Sequence, residues 1–353
     1  MLLNLFQILC QVKQSLKMRY LITGHTGFKG SWLAAMLTAQ GHEVVGIALP
    51  ALDRSLYREA GLSPLFTKEF FVDIRNRKEF VQAIKDSKAD IAFHLAAQPL
   101  VRESYKRPVE TYETNVLGTL NFLDGIRDTK IQAAVVITTD KVYKNKNLLR
   151  GYVESDELGG HDPYSSSKAA ADIATQSWIA SFESQKISIA RAGNVVGGGD
   201  WAADRLIPDL VNAFTSGTPA NIRYPNSIRP WQHVADCLSG YLALSDAMLA
   251  NGVTGEWNFG PSIDVDTKVS KVADLAVSAW GEGASWELDS NPQLHETGYL
   301  LLDSSKARRE LKWRDKLDFV TTIGWTMDFY KAAMKGRNSR TLLDEQVEAF
   351  SRL

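Results

Sequence analysis

Short apolar runs alternate with amphipathic stretches through the first half of the chain. Arg19–Thr23 is an apolar run that leads straight into Gly24, and Ser31–Gln40 carries a helical pattern. Glu43–Leu49, Glu69–Val72, Ile91–Leu95 and Ala133–Thr138 read as further strands, and a long helical pattern covers Pro108–Asp128. Tyr164–Phe182 is helical again and Ile187–Ala192 is a strand. Strands alternating with helices predict an α/β fold, a doubly wound parallel sheet of the Rossmann type. Right-handed crossovers put helices on both faces and line the strand ends along one edge.

After residue 192 the pattern changes. Gly, Asp and Trp accumulate in Gly193–Trp201, and later stretches mix short strands with helices such as Val234–Leu249 and Val269–Trp280. The expectation is a dinucleotide-binding domain over 18–192 and a smaller C-terminal substrate lobe over 193–353, with the chain free to re-enter the sheet. Residues 1–17 stand apart as an extension: Leu5, Leu9, Val12 and Leu16 share one helical stripe, and Met18 directly precedes the first strand. The stripe lacks the basic start and small-residue site of a signal peptide, and it is too short and polar to span a bilayer.

Composition narrows the classes. The 353 residues hold 40 Lys+Arg against 41 Asp+Glu, a formal charge of -1, so bulk attraction to nucleic acid is not expected. Cys10 and Cys237 give neither a disulfide framework nor a thiolate metal site, which fits a reducing cytoplasm. His25, His94, His161, His233 and His295 have no metal-ligand spacing, and no metal is expected.

Three segments carry chemistry. Thr23-Gly24-His25-Thr26-Gly27-Phe28-Lys29-Gly30 lies between a strand and a helix. There, glycines permit a tight turn and let backbone N–H groups approach a pyrophosphate. The spacing is one residue longer at its first gap than the commonest dinucleotide fingerprint. No acid closes the second strand, Gly46-Ile47-Ala48-Leu49-Pro50, so that position leaves NAD and NADP both open. Asp73, in Asp73-Ile74-Arg75, offers a carboxylate to an adenine amino group, or is a plain loop acid.

The second segment, Tyr164-Ser165-Ser166-Ser167-Lys168, stacks a phenol and an amine on one helix face. A nearby ammonium favours the phenolate, so the Tyr is a candidate base for oxidising a hydroxyl. The third, Thr138-Thr139-Asp140-Lys141-Val142-Tyr143, adds a hydroxyl, a carboxylate and an amine in consecutive positions. Oxidation alone needs only the Tyr, the Lys and a hydroxyl. The extra acid–base pair points to a second reaction on the same substrate, unless it is an ordinary surface ion pair at a strand end.

Together these segments, with His94-Leu95-Ala96-Ala97-Gln98, Asn115 and Arg191-Ala192-Gly193-Asn194, resemble the extended short-chain dehydrogenase/reductase family of nucleotide-sugar enzymes. Further motifs narrow the likeness to the 4,6-dehydratases, in their CDP-glucose branch. They are Gln98-Pro99-Leu100-Val101-Arg102, Gly159-Gly160-His161-Asp162-Pro163-Tyr164, Gly197-Gly198-Gly199-Asp200-Trp201 and Arg229-Pro230-Trp231-Gln232-His233-Val234. The likeness runs from about Met18 to about Tyr330. It implies NAD as cofactor, a nucleotide sugar as substrate, no nucleic acid or membrane partner, and a homodimer or dimer of dimers. The pairing would use the helices at Pro108–Asp128 and around Tyr164.

The resemblance implies catalytic roles for Thr139, Asp140, Lys141, Tyr164 and Lys168. It implies cofactor contacts at Gly24, Thr26, Gly27, Phe28, Lys29, Gly30, Asp73, Ile74, Leu95, Ala96, Ala97, Asn115, Tyr164 and Lys168. Gln98, Arg102, Asn194, Arg205 and Arg229 are substrate candidates, Arg229 for the diphosphate. Dehydratases acting on dTDP-glucose carry Glu after the Asp; here the residue is Lys141. Three rivals stay open, one of them a dehydratase acting on another nucleotide-glucose. A nucleotide-sugar 4-epimerase has no need of Asp140-Lys141, and a catalytically silent NAD-binding protein has no need of Thr139, Tyr164 and Lys168. Context in deoxyhexose synthesis for surface polysaccharides would follow from the same likeness.

Overall fold

A computed structural model describes residues 17–182, 185–262, 267–281, 283–289 and 299–353. The stripe within 1–17 and His295 lie outside the described residues, save Lys17. Seven parallel strands form the central sheet. In chain order they are β1 (Arg19–Thr23), β2 (Glu43–Ala48), β3 (Phe66–Phe71), β4 (Ile91–His94), β5 (Ala133–Ile137), β6 (Lys186–Ala192) and, far downstream, β10 (Gly255–Phe259). Across the sheet the order is β10-β6-β5-β4-β1-β2-β3. The short strands between β6 and β10 are β7 (Val195–Val196), β8 (Ala220–Ile222) and β9 (Gln232–His233); β7 pairs with β9.

Successive side chains of a strand point to opposite faces. Accordingly Tyr20 and Ile22 enter one core while Leu21 enters the other, and Val135 parts from Ala134 and Val136 in the same way. The first core packs under helices Phe28–Ala39 and Val234–Asn251, the second under Arg77–Ser87 and Gly118–Ile126. A third core, around Ile207, Leu210, Val272, Ile323 and Tyr330, belongs to helices Leu206–Ser216, Val269–Trp280 and Phe319–Met334 outside the sheet.

Three sequence expectations differ from the structure. The third strand is Phe66–Phe71 rather than Glu69–Val72, because exposed Thr67 and Lys68 separate the buried Phe66 from the later apolar residues of this edge strand. The first helix begins at Phe28, inside the glycine segment, rather than at Ser31. The pattern at Pro108–Asp128 is broken into Pro108–Tyr112, a π-type turn at Glu113–Leu117, and Gly118–Ile126. That wide turn swings Asn115 inward, where it is buried. The chain does re-enter the sheet, since β10 pairs with β6 from Gly255 opposite Ser188 to Phe259 opposite Ala192.

Candidate active site

The strand order reverses between β1 and β4, and a crevice opens outside their carboxyl ends at such a point. A cleft of about 1600 Å³ starts there and runs out to the lobe. At its inner end the chain turns sharply after β1. Gly24 has φ +77°, and a Cβ on it would sit 2.9 Å from the Ala96 nitrogen after β4. A Cβ on Gly30 would lie 2.3 Å from the Gly24 carbonyl oxygen and 2.7 Å from the His25 Cα. Loop and helix therefore touch backbone to backbone. Gly27 is the N-cap of the Phe28–Ala39 helix and supplies no side-chain acceptor, so the first N–H groups of the helix face the cleft. Such a turn can cradle a diphosphate, and the residues present fit a dinucleotide.

The other cofactor candidates line the same cleft, except Asn115. Gly24, Thr26, Gly27, Phe28, Lys29, Asp73, Ile74, Leu95, Ala96, Ala97, Tyr164 and Lys168 all border it. Thr26 Oγ1 donates to the Leu49 carbonyl (3.0 Å). Asp73 is already engaged: Arg75 donates to it from the backbone nitrogen (2.9 Å) and from its guanidinium, which holds the carboxyl below its usual range. Lys29 turns inward, with Nζ donating to the Tyr241 hydroxyl at 3.3 Å. Asn115 acts from behind. Its amide donates to the Gln98 carbonyl (3.1 Å) and to Ser167 Oγ (2.8 Å), and its Oδ1 accepts from the Gln98 nitrogen (2.8 Å). Asn115 thus ties the loop after β4 to the helix bearing Tyr164.

The catalytic candidates meet where β5 ends. Thr139, Asp140, Lys141, Tyr164 and Lys168 all line the cleft. Thr139 caps a single 3-10 turn, Asp140–Val142, by accepting from the Lys141 nitrogen (3.3 Å), and its Oγ1 donates to Asp140 Oδ1 (2.9 Å). Asp140 is 2% exposed, and its Oδ2 has no hydrogen-bond partner. Burial pushes the Asp140 carboxyl up, against the opposing pull of Lys141, Thr139 and Arg229. Burial therefore favours the protonated form of that acid.

Asp162 caps the helix Pro163–Ser181 by accepting from the Ser165 nitrogen, which sets Tyr164 in the first turn and Lys168 one turn later. The amine does not act on the phenol as the sequence reading expected. Lys168 Nζ donates to the Ile137 carbonyl (2.7 Å), and burial, with Lys29 behind it, pulls Lys168 down to about 8. Tyr164 is pushed up to about 12 by burial, while a side-chain hydrogen bond with Thr139 and the nearby Arg205 pull the other way. In this chain alone, desolvation outweighs the cation.

The substrate candidates also border the cleft, but several are already engaged. Gln98 uses both ends of its amide, donating to Thr111 Oγ1 (2.9 Å) and accepting from the Leu100 nitrogen (2.6 Å). Arg102 is paired with Asp204 (3.3 Å), and Arg205 Nη1 donates to Asp200 Oδ2 (2.6 Å). Arg229 is 3% exposed, and its Nη1 donates to the Ile228 carbonyl (2.9 Å). Asn194 holds β9 through its carbonyl, which accepts from the Gln232 nitrogen, and the residue faces the cleft. The sequence reading did not single out Asp209, Arg223 and Tyr224, which form the outer wall. Nothing in their spacing distinguishes them from surface residues.

Comparison with known proteins places this geometry. The model of the NAD dependent epimerase/dehydratase family matches residues 20–260. The chain is 42% identical to the CDP-glucose 4,6-dehydratase of Salmonella typhimurium, over 91% of this chain and 92% of that protein. It is 24% identical to a UDP-glucose 4-epimerase of Lactobacillus helveticus, over 90% and 99%. Among solved structures, the fold matches a UDP-glucose-4-epimerase from Stenotrophomonas maltophila with bound NAD. There the TM-score is 0.80 at 21% identity, covering 90% of this chain and 99% of that one. It also matches a dTDP-glucose 4,6-dehydratase from Bacillus anthracis in complex with NAD, with TM-score 0.76, 22% identity, and coverage of 92% and 99%. The chain belongs to the NAD dependent epimerase/dehydratase family, and its cofactor is NAD.

Proposed function

We propose that this chain is a hydro-lyase that converts CDP-glucose to CDP-4-keto-6-deoxyglucose. The 42% identity to a CDP-glucose 4,6-dehydratase over nearly the whole chain supports the substrate. One observation carries the reaction type: a buried Asp140, with an unpartnered oxygen and a carboxyl that burial pushes up, stands beside the Tyr164 phenol and next to Lys141. An epimerase needs no such acid.

NAD, when bound, supplies the chemistry of accepting a hydride from the sugar C4 and giving it back at C6. The chain's own groups do the proton work. Tyr164 takes the proton of the O4 hydroxyl, with Thr139 orienting that oxygen. Once C4 is a ketone, the C5 hydrogen is acidic. Lys141 removes it, and Asp140 donates its proton to the departing O6 hydroxyl, so water leaves across C5–C6; the proton held by Lys141 returns to C5 as C6 is reduced. Lys168, held on the Ile137 carbonyl one turn beyond Tyr164, would bond the nicotinamide ribose when the cofactor is present. The cradle at Gly24–Gly30 keeps the cofactor in place between the two redox halves, since its loss after the first would abort the cycle.

In this reading residues 18–192 hold NAD and residues 193–353 cover the nucleotide sugar, with β10 lent back to the sheet. Arg229 and Arg205 hold the diphosphate, and Asn194, Gln98 and Arg102 border the sugar and nucleotide. Two copies would pair through Pro108–Ile126 and Pro163–Ser181, where Val109, Leu117 and Ile173 are exposed. No helix among the described residues is long and apolar enough to cross a membrane, and we place the enzyme in the cytoplasm. The test is turnover of CDP-, dTDP-, UDP- and GDP-glucose, read as the alkali absorbance of a 4-keto sugar. Product from CDP-glucose alone is expected. Product only from dTDP- or UDP-glucose would overturn the base assignment, and a 4-epimer without water loss would overturn the reaction.

A further inference from the structure

Two residues that flank the catalytic turn are held by one buried ion pair. Arg191 on β6 faces Asp172 on the helix of Tyr164 and Lys168, and both are 0% exposed. The guanidinium donates as a fork, Nη2 to Asp172 Oδ1 at 2.7 Å and Nε to Oδ2 at 2.9 Å. Asp172 Oδ2 also accepts from Thr138 Oγ1 (3.0 Å), directly before Thr139. Arg191 Nη1 donates to the Tyr143 hydroxyl (3.0 Å), directly after the Asp140–Val142 turn, and to the Glu154 carbonyl (2.9 Å). The Tyr143 hydroxyl donates onward to Asn258 Oδ1 (2.7 Å) on β10.

Burying two charges costs desolvation, and apolar side chains of like volume would hold a core equally well. What the fork supplies is direction: each bond fixes an angle as well as a distance. Tyr164, Lys168 and Asp172 follow at four-residue steps, so they lie along one face of their helix. The pair therefore connects that face to both ends of the segment carrying Thr139, Asp140 and Lys141.

We propose that Asp172 and Arg191 are a positioning pair for the dehydration, fixing the Asp140–Lys141 turn against the Tyr164 helix so that oxidation and elimination share one substrate pose. The inference rests on the activity proposed above. Proton removal at O4 and at C5 must occur without the sugar shifting, and misplacement by about 1 Å costs roughly 100-fold in rate.

The test removes the two struts while leaving the ion pair intact. Thr138→Val and Tyr143→Phe, singly and together, are made in the full chain with NAD and assayed on CDP-glucose. Thermal midpoint, bound NAD, KM, kcat and solvent-deuterium entry at C5 are measured. The expected result is a kcat lower by about 10-fold for each variant and about 100-fold for the double, with KM within about twofold. NAD content stays near wild type, the midpoint falls in the Tyr143 variants, which leave Asn258 Oδ1 short of a donor, but stays above the assay temperature, and reduced cofactor accumulates because C5 exchange lags C4 oxidation. A double variant with kcat within about twofold of wild type overturns the proposal. So does a fall in kcat that tracks lost NAD or unfolding at the assay temperature, which marks a purely structural role. Wild-type protein that does not turn over CDP-glucose overturns the activity reading first, and this one with it.

Discussion

Thr139 Oγ1 donates to Asp140 Oδ1 at 2.9 Å, and the same hydroxyl is near enough to the Tyr164 phenol to pull it down against burial. A hydroxyl has one proton to give. While Thr139 spends it on Asp140, the phenol must donate to Thr139, which favours the neutral Tyr. When Asp140 holds a proton of its own on Oδ1, the Thr139 proton is released to the phenol oxygen, which favours the phenolate. Burial raises Asp140, which shifts the balance toward the second arrangement. Oxidation and elimination thus share a hydroxyl.

Asp140→Asn removes the proposed proton donor for O6 while keeping size and burial. Overall turnover of CDP-glucose should fall by about 100- to 10,000-fold, with NAD still bound. In wild type the raised carboxyl loses its proton as pH climbs, so the elimination falls on the alkaline limb, and Asn removes that limb from the residual rate. Measuring kcat against pH for both proteins checks the sign. An unchanged alkaline limb in Asp140→Asn would assign it to another group.

Thr139→Val deletes the shared proton at nearly constant volume. Tyr164, already pushed up to about 12 by burial, loses the bond that pulls it back. The phenolate fraction at neutral pH drops, and kcat/KM should fall by about 10- to 100-fold and recover steeply toward high pH, whereas Thr139→Ser should stay near wild type. The pH profile of kcat/KM across the three proteins is the measurement. Equal losses in Ser and Val would mean the methyl packing matters, not the hydroxyl.

Gly30→Ala tests the cofactor cradle. The added Cβ would meet the Gly24 carbonyl and the His25 backbone, neither of which can turn aside. The loop has to open, which draws the N–H groups of Phe28 and Lys29 away from the diphosphate. NAD affinity should drop by at least about 10-fold, read by titration of the protein with NAD, while Gly283→Ala at a surface turn should not alter it.

Much of this was legible along the chain. The apolar runs at Arg19–Thr23, Ile91–Leu95 and Ala133–Thr138 are central strands covered on both faces, where burial leaves little choice but hydrophobic residues. The grouping of Thr139, Asp140 and Lys141 with Tyr164 and Lys168 at one strand edge follows from the alternation of strands and helices. What escaped depends on contacts between distant segments. Gly255–Phe259 is a strand although it carries Glu256 and Asn258, because Asn258 satisfies Tyr143 and the Tyr152 and Asp303 carbonyls inside the fold. Asp172 reads as one more polar helix residue until Arg191 is seen opposite it. The direction of Lys168, toward a carbonyl rather than the phenol, is likewise set by tertiary packing and not by its four-residue spacing.

Removing the Asp172 carboxylate gives a stability prediction separate from catalysis. Asp172→Asn leaves Arg191 charged, buried and short of its counter-ion, which should destabilise the fold by about 3–5 kcal/mol in urea unfolding. Replacing both residues, as Asp172→Leu with Arg191→Met, should restore most of that loss, because no buried charge remains. A double variant as unstable as the single would mean that the bonds to Thr138 and Tyr143 hold the fold more than the charge balance does.

Acid behaviour closes the set, through His94. This ring is 2% exposed beneath the loop after β4, with Nδ1 2.8 Å from Thr23 Oγ1 and Nε2 3.3 Å from Thr119 Oγ1. Burial, and then Lys168, pull it down to about 3; burial does the same to His233. In the unfolded chain such a ring titrates near about 6.5. Between those values the unfolded state holds protons that the native state refuses, so stability is complete above about 6.5 and is lost as pH falls toward 3. Each ring contributes a slope of up to about 1.4 kcal/mol per pH unit. Urea midpoints from pH 7 down to about 5 should therefore fall less steeply in His94→Asn than in wild type, by about one proton's worth. Parallel slopes would mean that His94 takes up its proton inside the folded protein, and the buried threonine-bonded ring described above would then be the wrong native state at low pH.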